Sequence, residues 1–207
     1  VLGLARAGIA GVAINYRSAG DQAESLAAEV RELGVEAFCV HGDVRNDAQV
    51  REMVQQTVAQ FGRLDVLVNN AGITRWVPIT DMEALTDEIW DVTLDVNVKG
   101  AYRCARAAAS HLEATQGMIV NVSSISGVIA PSTMSSLAYG TAKAGLIYLT
   151  RGLAVALGPN VRVNAVAPAF TDTQWMRDHY GEDYGDIIKR ASANYPLKRV
   201  AKPEEVA

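Results

Sequence analysis

Leu64-Asp65-Val66-Leu67-Val68-Asn69-Asn70-Ala71-Gly72 decides the fold. A short run that is apolar on both faces reads as a parallel strand buried under helices. Two asparagines, an alanine and a glycine follow it directly. In an open parallel sheet, ligands bind beyond the carboxyl ends of the strands, and small residues there let a flat ligand approach the backbone. Asn and Gly also favour ordinary strand-ending turns, so this stretch alone leaves both readings open.

Working outward, similar runs predict strands over 11–16, 36–40, 64–69, 118–122 and 161–166. Helical periods lie between them. Ala23, Leu26, Ala27, Val30 and Leu33 share one face, and so do Val50, Met53, Val54, Thr57, Val58 and Phe61. Further helices are expected over about 95–113 and 139–157. Strand alternating with helix gives an α/β fold: a doubly wound parallel sheet in three Rossmann-type layers. The chain reads as one domain over 1–207. Residues 172–198, rich in aromatic and charged side chains with weak periodicity, read as a loop over a substrate.

The chain has 207 residues, 49 % of them hydrophobic and 20 % charged, which excludes a disordered chain. A net charge of −4 argues against nucleic-acid binding. No apolar run is long enough to span a membrane. Three scattered histidines and two distant cysteines, Cys39 and Cys104, form no metal-ligand spacing; two cysteines suit a reducing compartment, and a cytoplasmic location is expected. Residues 1–7 read as closing helical turns stopped at Gly8, and Pro203 with Glu204 and Glu205 as the opening of another helix.

Tyr139 and Lys143 stand one helical turn apart. A lysine charge about 6 Å from a phenol, at an effective dielectric near 20, favours the phenolate by roughly 3 kcal/mol. That predicts a tyrosine able to exchange a proton near neutral pH. Ser123 and Ser124 end the strand over 118–122, where a hydroxyl can face the same crevice or bond its own backbone. Asp43, after Gly42, can accept from a ring amine or cap the following helix. Asn15-Tyr16-Arg17-Ser18 ends the strand over 11–16 with no acidic residue. Arg17 there suits a ribose 2′-phosphate, or is a solvated surface side chain. Asn97, a poor helix former among apolar neighbours, suggests a buried polar role, catalytic or structural.

In this order the motifs resemble the short-chain dehydrogenase/reductase family over essentially the whole chain: Asn69-Asn70-Ala71-Gly72, Asn97, Val120-Asn121-Val122-Ser123-Ser124-Ile125-Ser126-Gly127, Tyr139 with Lys143, and Arg162-Val163-Asn164-Ala165-Val166-Ala167-Pro168. The general look is nearest to 3-oxoacyl-acyl-carrier-protein reductases, then to sugar or polyol dehydrogenases. The resemblance implies Tyr139 as general acid in reduction and Lys143 as the group that lowers its pKa and holds the nicotinamide ribose. It implies Ser124 on the substrate carbonyl and Asn97 holding a relay water. Cofactor contacts are implied for Asp43 and Val44 at adenine, for Asn70, Ala71 and Gly72, and for the loop with Pro168, Thr171 and Thr173. With Arg17 and Ser18, NADP(H) is the preferred cofactor and NAD(H) the alternative. The substrate is a small carbonyl or alcohol compound, with Trp175, Met176, His179, Tyr180 and Tyr184 covering it or packing the loop. No metal is implied. The resemblance also implies a homotetramer built on the Ala-rich helix with Ala101, Ala105, Ala107, Ala108 and Ala109 and on the helix after it. A non-catalytic cofactor-binding protein is the rival reading, which the intact set of Ser124, Tyr139, Lys143 and Asn97 opposes.

Two departures stand out. Ala169 replaces the family's usual glycine after the proline. The family's Gly-rich pyrophosphate turn, with the first strand, and its last strand have no match here. They are expected outside Val1 and Ala207, in an intact protein about 40 to 50 residues longer. The first strand of such a sheet is central. The strands over 11–16 and 64–69 should therefore share no hydrogen-bonded neighbour, and a polypeptide of these residues alone is expected not to unfold cooperatively.

Overall fold

The computed structural model describes residues 1–129 and 136–206. Five strands form: β1 (Gly11–Tyr16), β2 (Glu36–His41), β3 (Val66–Asn69), β4 (Met118–Val122) and β5 (Arg162–Val166). All pair in parallel. β1 runs beside β2 from Gly11 opposite Glu36 to Tyr16 opposite His41. β4 lies between β3 and β5, with Asn69 opposite Asn121. The architecture is α/β with parallel sheets flanked by helices, as expected. So is its division: β1–β2 and β3–β4–β5 are separate sheets, and no described strand pairs with both β1 and β3.

Helices α1 (Leu2–Arg6), α2 (Gly20–Glu32) and α3 (Asp47–Phe61) fall where the sequence places them. Gly8, at φ +86°, takes the left-handed conformation that ends α1. Asn46 caps α3, its side chain accepting from the Ala48 and Gln49 amides. The third helical stretch starts earlier than its apolar pattern suggests. Asp87 and Glu88 favour a first turn at the positive helix end, so α4 (Asp87–Leu94) precedes a π-helical turn (Asp95–Gly100) that runs into α5 (Ala101–Thr115). Likewise α6 (Leu137–Leu157) begins two residues before Tyr139 because Ser136 caps it. The segment read as a loop contains α7 (Gln174–Tyr180) and α8 (Tyr184–Asn194), with Thr173 capping α7. Near the carboxyl end, where the sequence suggests the opening of a helix, Pro203–Glu205 form a 3₁₀ turn; Ala207 lies outside the described residues.

Three apolar clusters hold these parts together. Ala27 and Val30 of α2 pack with Ile14 and Ala37 of β1 and β2. Ala105, Ala108 and Leu112 of α5 pack with Ile119 and Val163. The third cluster, around Val40, Val50, Met53, Val96 and Cys104, takes in Ala13 of β1 and Leu67 of β3, so it bridges the two sheets. Ala101, Ala105 and Ala108 are therefore spent inside the chain's own core, and the side of α5 left exposed carries Tyr102 and Arg106. The expectation that strands are buried on both faces fails for β5, which buries only Val163; no described element covers the rest.

Candidate active site

The carboxyl ends of β3 and β4 are tied by a buried polar chain. Asn69 donates from its amide to Asn121 Oδ1 at 2.8 Å, Asn121 donates to Thr150 Oγ1 at 2.9 Å, and Thr150 donates to the Leu146 carbonyl. Buried amides cost stability unless they are satisfied in this way. The chain fixes α6 against the strand ends, and α6 carries Tyr139 and Lys143.

Ser123 and Ser124 separate into two roles. Ser123 is buried and its hydroxyl donates to the Lys143 carbonyl at 2.8 Å, which makes it structural. Ser124 opens the 3₁₀ turn Ile125–Gly127, and its hydroxyl accepts from the Ser126 amide while staying only partly buried. That turn lies hard against α6: a Cβ on Gly127 would stand 2.5 Å from the Lys143 carbonyl carbon, so only glycine permits the approach. Ser136 Oγ accepts from the Tyr139 amide at 3.2 Å and fixes the first turn of α6. Lys143, only 4 % exposed, points its ammonium at the Val122 carbonyl (2.8 Å) and lies 5.5 Å from the Tyr139 ring centroid.

The electrostatics correct one expectation. Tyr139 is held above the ordinary tyrosine value, by burial, with the Ser124 hydroxyl pulling weakly the other way. Lys143 is pushed down to about 8, also by burial. A charge-pair argument at fixed distance leaves out desolvation, which here outweighs the attraction. Tyr139 therefore stands protonated at neutral pH, which is the state a proton donor needs.

Asn97 sits in the π-helical turn and is 1 % exposed. Its amide donates to the Ile73 and Thr93 carbonyls at 2.9 and 2.8 Å, yet its Oδ1 has no partner among the described residues. A Cβ built on Gly72 would lie 2.8 Å from that oxygen and 3.4 Å from Lys143 Nζ. An orphaned acceptor and an ammonium thus face one small space that glycine keeps open. π-helical turns recur at functional sites because the extra residue re-aims a side chain; the sequence carries no signature for one.

A second group of residues lies at the ends of β1 and β2. A cavity of about 290 Å³ opens beside Tyr16, Arg17, Ser18, Ala19 and Gln22. Arg17 is exposed, its guanidinium in no ion pair among the described residues, and it lies near enough to Asp43 to help lower that carboxyl. Asp43 does not cap α3, since Asn46 does; instead it binds Arg45, with Arg45 Nε at 2.9 Å, and this holds its pKa near 2. Val44 is buried against Gly100. Asn70, Ala71 and Gly72 are exposed at the end of β3. Pro168 accepts from the Ile125 amide at 2.9 Å, which bonds the loop after β5 to the Ser124 turn. In that loop Thr171 donates to the Ala169 carbonyl, and Thr173 is occupied as the cap of α7.

Two contributors escaped the sequence reading. Asn15 donates to the Val40 and Gly42 carbonyls and locks the β1 and β2 ends together. Trp76, four residues beyond Gly72, stacks on His179 of α7. The serine ahead of the α6 pattern was a usable sign of the Ser136 cap; nothing local to Trp76 reveals its partner.

These features meet a body of related proteins. The family model described as enoyl-(acyl carrier protein) reductase matches residues 2–207. A Streptomyces violaceoruber protein whose name describes a ketoacyl reductase of the granaticin polyketide synthase is 39 % identical over 95 % of this chain and 76 % of its own. A 3-oxoacyl-acyl-carrier-protein reductase of Staphylococcus epidermidis is 35 % identical over 95 % of this chain and 78 % of its own. Among solved structures, a gluconate 5-dehydrogenase from Burkholderia cenocepacia J2315 in complex with NADP and tartrate is 30 % identical (TM-score 0.85; 99 % of this chain, 78 % of that one). An NAD⁺-bound xylitol dehydrogenase is likewise 30 % identical (TM-score 0.88; 99 % and 82 %). Serine, tyrosine and lysine gathered at the strand ends of a Rossmann-type sheet agree with these likenesses, and the chain belongs to the short-chain dehydrogenase/reductase family of oxidoreductases acting on carbonyl and CH–OH groups.

Proposed function

We propose that the protein reduces a carbonyl compound with NADPH, and that the compound is a 3-oxoacyl thioester. The observation that carries the reaction is a linked set: the orphaned Asn97 oxygen and the Lys143 ammonium face one space at Gly72, the same ammonium lies 5.5 Å from the Tyr139 ring, and the Ser124 hydroxyl bonds to Tyr139. The relatives at 39 and 35 % identity favour the thioester. The sugar-acid and polyol dehydrogenases among the structural neighbours keep a polyol as the second reading. A set in which each group is buried or bonded into position speaks against a binding protein without catalysis.

The residues present fit a dinucleotide. Exposed backbone at Asn70, Ala71 and Gly72 takes its flat parts, the cavity beside Arg17 and Ser18 its adenosine end, and Asp43 and Val44 the adenine. The loop with Pro168, Thr171 and Thr173 borders the nicotinamide end. When bound, the reduced nicotinamide supplies hydride. The chain's own residues do the rest. Ser124 donates a hydrogen bond to the carbonyl oxygen and Tyr139 gives it a proton. The Lys143 ammonium steadies the phenolate left behind, and the space between Asn97 Oδ1 and Lys143 holds a water that returns a proton.

Arg17→Ala tests the cofactor preference. A charge-assisted bond to a 2′-phosphate is worth about 1.5–3 kcal/mol, so KM for NADPH should rise by about tenfold to a hundredfold and KM for NADH should hold. Equal losses with both cofactors would remove the case for NADP. The assembly we infer is a homotetramer through α5 and α6, whose outward side chains Tyr102, Tyr148 and Val155 are 44, 76 and 85 % exposed. Sedimentation of the full chain should give four times its mass; a monomer at micromolar concentration would refute it. Among the described residues no helix is long and apolar enough to cross a membrane.

A further inference from the structure

Aromatic side chains meet from three segments: the loop after β3, the loop after β5 and α7. Trp76 stacks on His179 with ring centroids 3.8 Å apart and planes 9° from parallel. Trp175 and Tyr180 lie 5.3 and 5.9 Å from the same indole, and Tyr180 continues to Phe170 at 6.3 Å. Both supports of this wall are rooted in the catalytic site. Trp76 leaves the strand end just after Gly72, whose backbone touches the space between Asn97 and Lys143, and Asn97 holds the next residue, Ile73, by its carbonyl. Phe170 follows Pro168, which is bonded to the Ser124 turn. The wall is thus tied at both roots to segments that carry catalytic groups.

The two ends of the α7–α8 segment are held very differently. Its base is a knot: buried Tyr184 donates to Asp172 at 2.6 Å, Arg177 pairs with the same carboxylate and lies 4.9 Å over the Tyr184 ring. Its tip is held by the Trp76–His179 stack, in which His179 stays exposed. The stacked rings are the contact that keeps the tip down, so removing either ring should free it.

We propose that Trp76 is the specificity-determining residue of the substrate site. Through His179 it draws α7 toward the loop after β3 and narrows the entrance, so that a slender acyl chain passes and a branched or ring-bearing carbonyl compound does not. This rests on the carbonyl-reductase reading and extends it to the shape of the substrate.

Trp76→Ala removes the indole; Trp76→Phe keeps a ring that can still stack. The full chain and both variants are given NADPH with a straight 3-oxobutanoyl thioester and with a cyclohexyl or phenyl 3-oxo thioester. In Trp76→Ala the ratio of kcat/KM for the bulky over the straight substrate should rise at least tenfold, and Trp76→Phe should stay within threefold of wild type. Limited chymotrypsin digestion supplies a readout that needs no turnover: cleavage after Trp175 and Tyr180 should quicken about fivefold in Trp76→Ala and in His179→Ala. An unchanged ratio with active enzyme overturns the specificity role, and unchanged cleavage overturns the tie to α7. If wild type reduces none of the carbonyls while cleavage quickens, the tie stands and the functional reading falls.

Discussion

Tyr139→Phe should lower kcat for carbonyl reduction by about a thousandfold while KM for NADPH stays within about threefold. Proton transfer by a positioned side chain contributes roughly 10²–10⁴ in rate, and Tyr139 is the acid best placed to make it. Ser124 cannot substitute: an aliphatic hydroxyl is a far weaker acid than a phenol, and the phenolate on Tyr139 has the Lys143 ammonium 5.5 Å from its ring. Phenylalanine keeps the ring and its packing in α6, so the lost oxygen alone is measured. The assay is absorbance loss at the nicotinamide band with a short 3-oxoacyl thioester and a panel of sugars and ketones. A loss below tenfold would show that another group supplies the proton, and the preferred carbonyl in wild type decides between thioester and polyol.

What could be read in the sequence, and what could not, divides along the range of the forces involved. Strand positions follow from side-chain period and burial, which are local, and all five strands lie within two residues of their expected bounds. The Tyr139–Lys143 pair was legible because one helical turn brings it together whatever surrounds it. Its titration was not, because desolvation depends on everything packed over α6, from the Gly127 turn to the Asn121–Thr150 chain. Asn97 stood out as an amide among apolar residues, yet the π-helical turn that aims it has no compositional sign. Asp43 shows the middle case: of the two roles the sequence allows, the cap falls to Asn46, and Arg45, two residues on, binds the carboxylate that would meet a ring amine. Trp76 was invisible for the opposite reason, since its partner is about a hundred residues away.

Lys143→Met should nearly abolish activity and at the same time stabilise the protein. Burial lowers the lysine from 10.5 in the unfolded chain to about 8 in the folded one. The unfolded state then binds more protons than the folded state between those values, so stability rises with pH across that window. Below it, at pH 7, holding the ammonium inside costs roughly 3 kcal/mol. Methionine has a similar shape and no charge, so it escapes that cost. It also leaves the Val122 carbonyl without its donor, a loss of about 1 kcal/mol. The net gain of about 2 kcal/mol corresponds to a rise in Tm of about 4–8 °C at pH 7. The gain should shrink as pH climbs from 7 toward 10, because wild-type lysine sheds its proton and the penalty with it. Calorimetry of both proteins at several pH values, each made as the longer intact protein expected above, reads this directly. A variant less stable at every pH would mean the ammonium is welcomed by the fold, and the depressed value would be wrong. The same titration shapes catalysis: wild-type reduction should fall above about pH 8 as Lys143 becomes neutral, and the residual rate of Lys143→Met should show no such limb. Stability is thus given up at the position where a cation is needed beside Tyr139, which is the sign of a group retained for chemistry and not for folding.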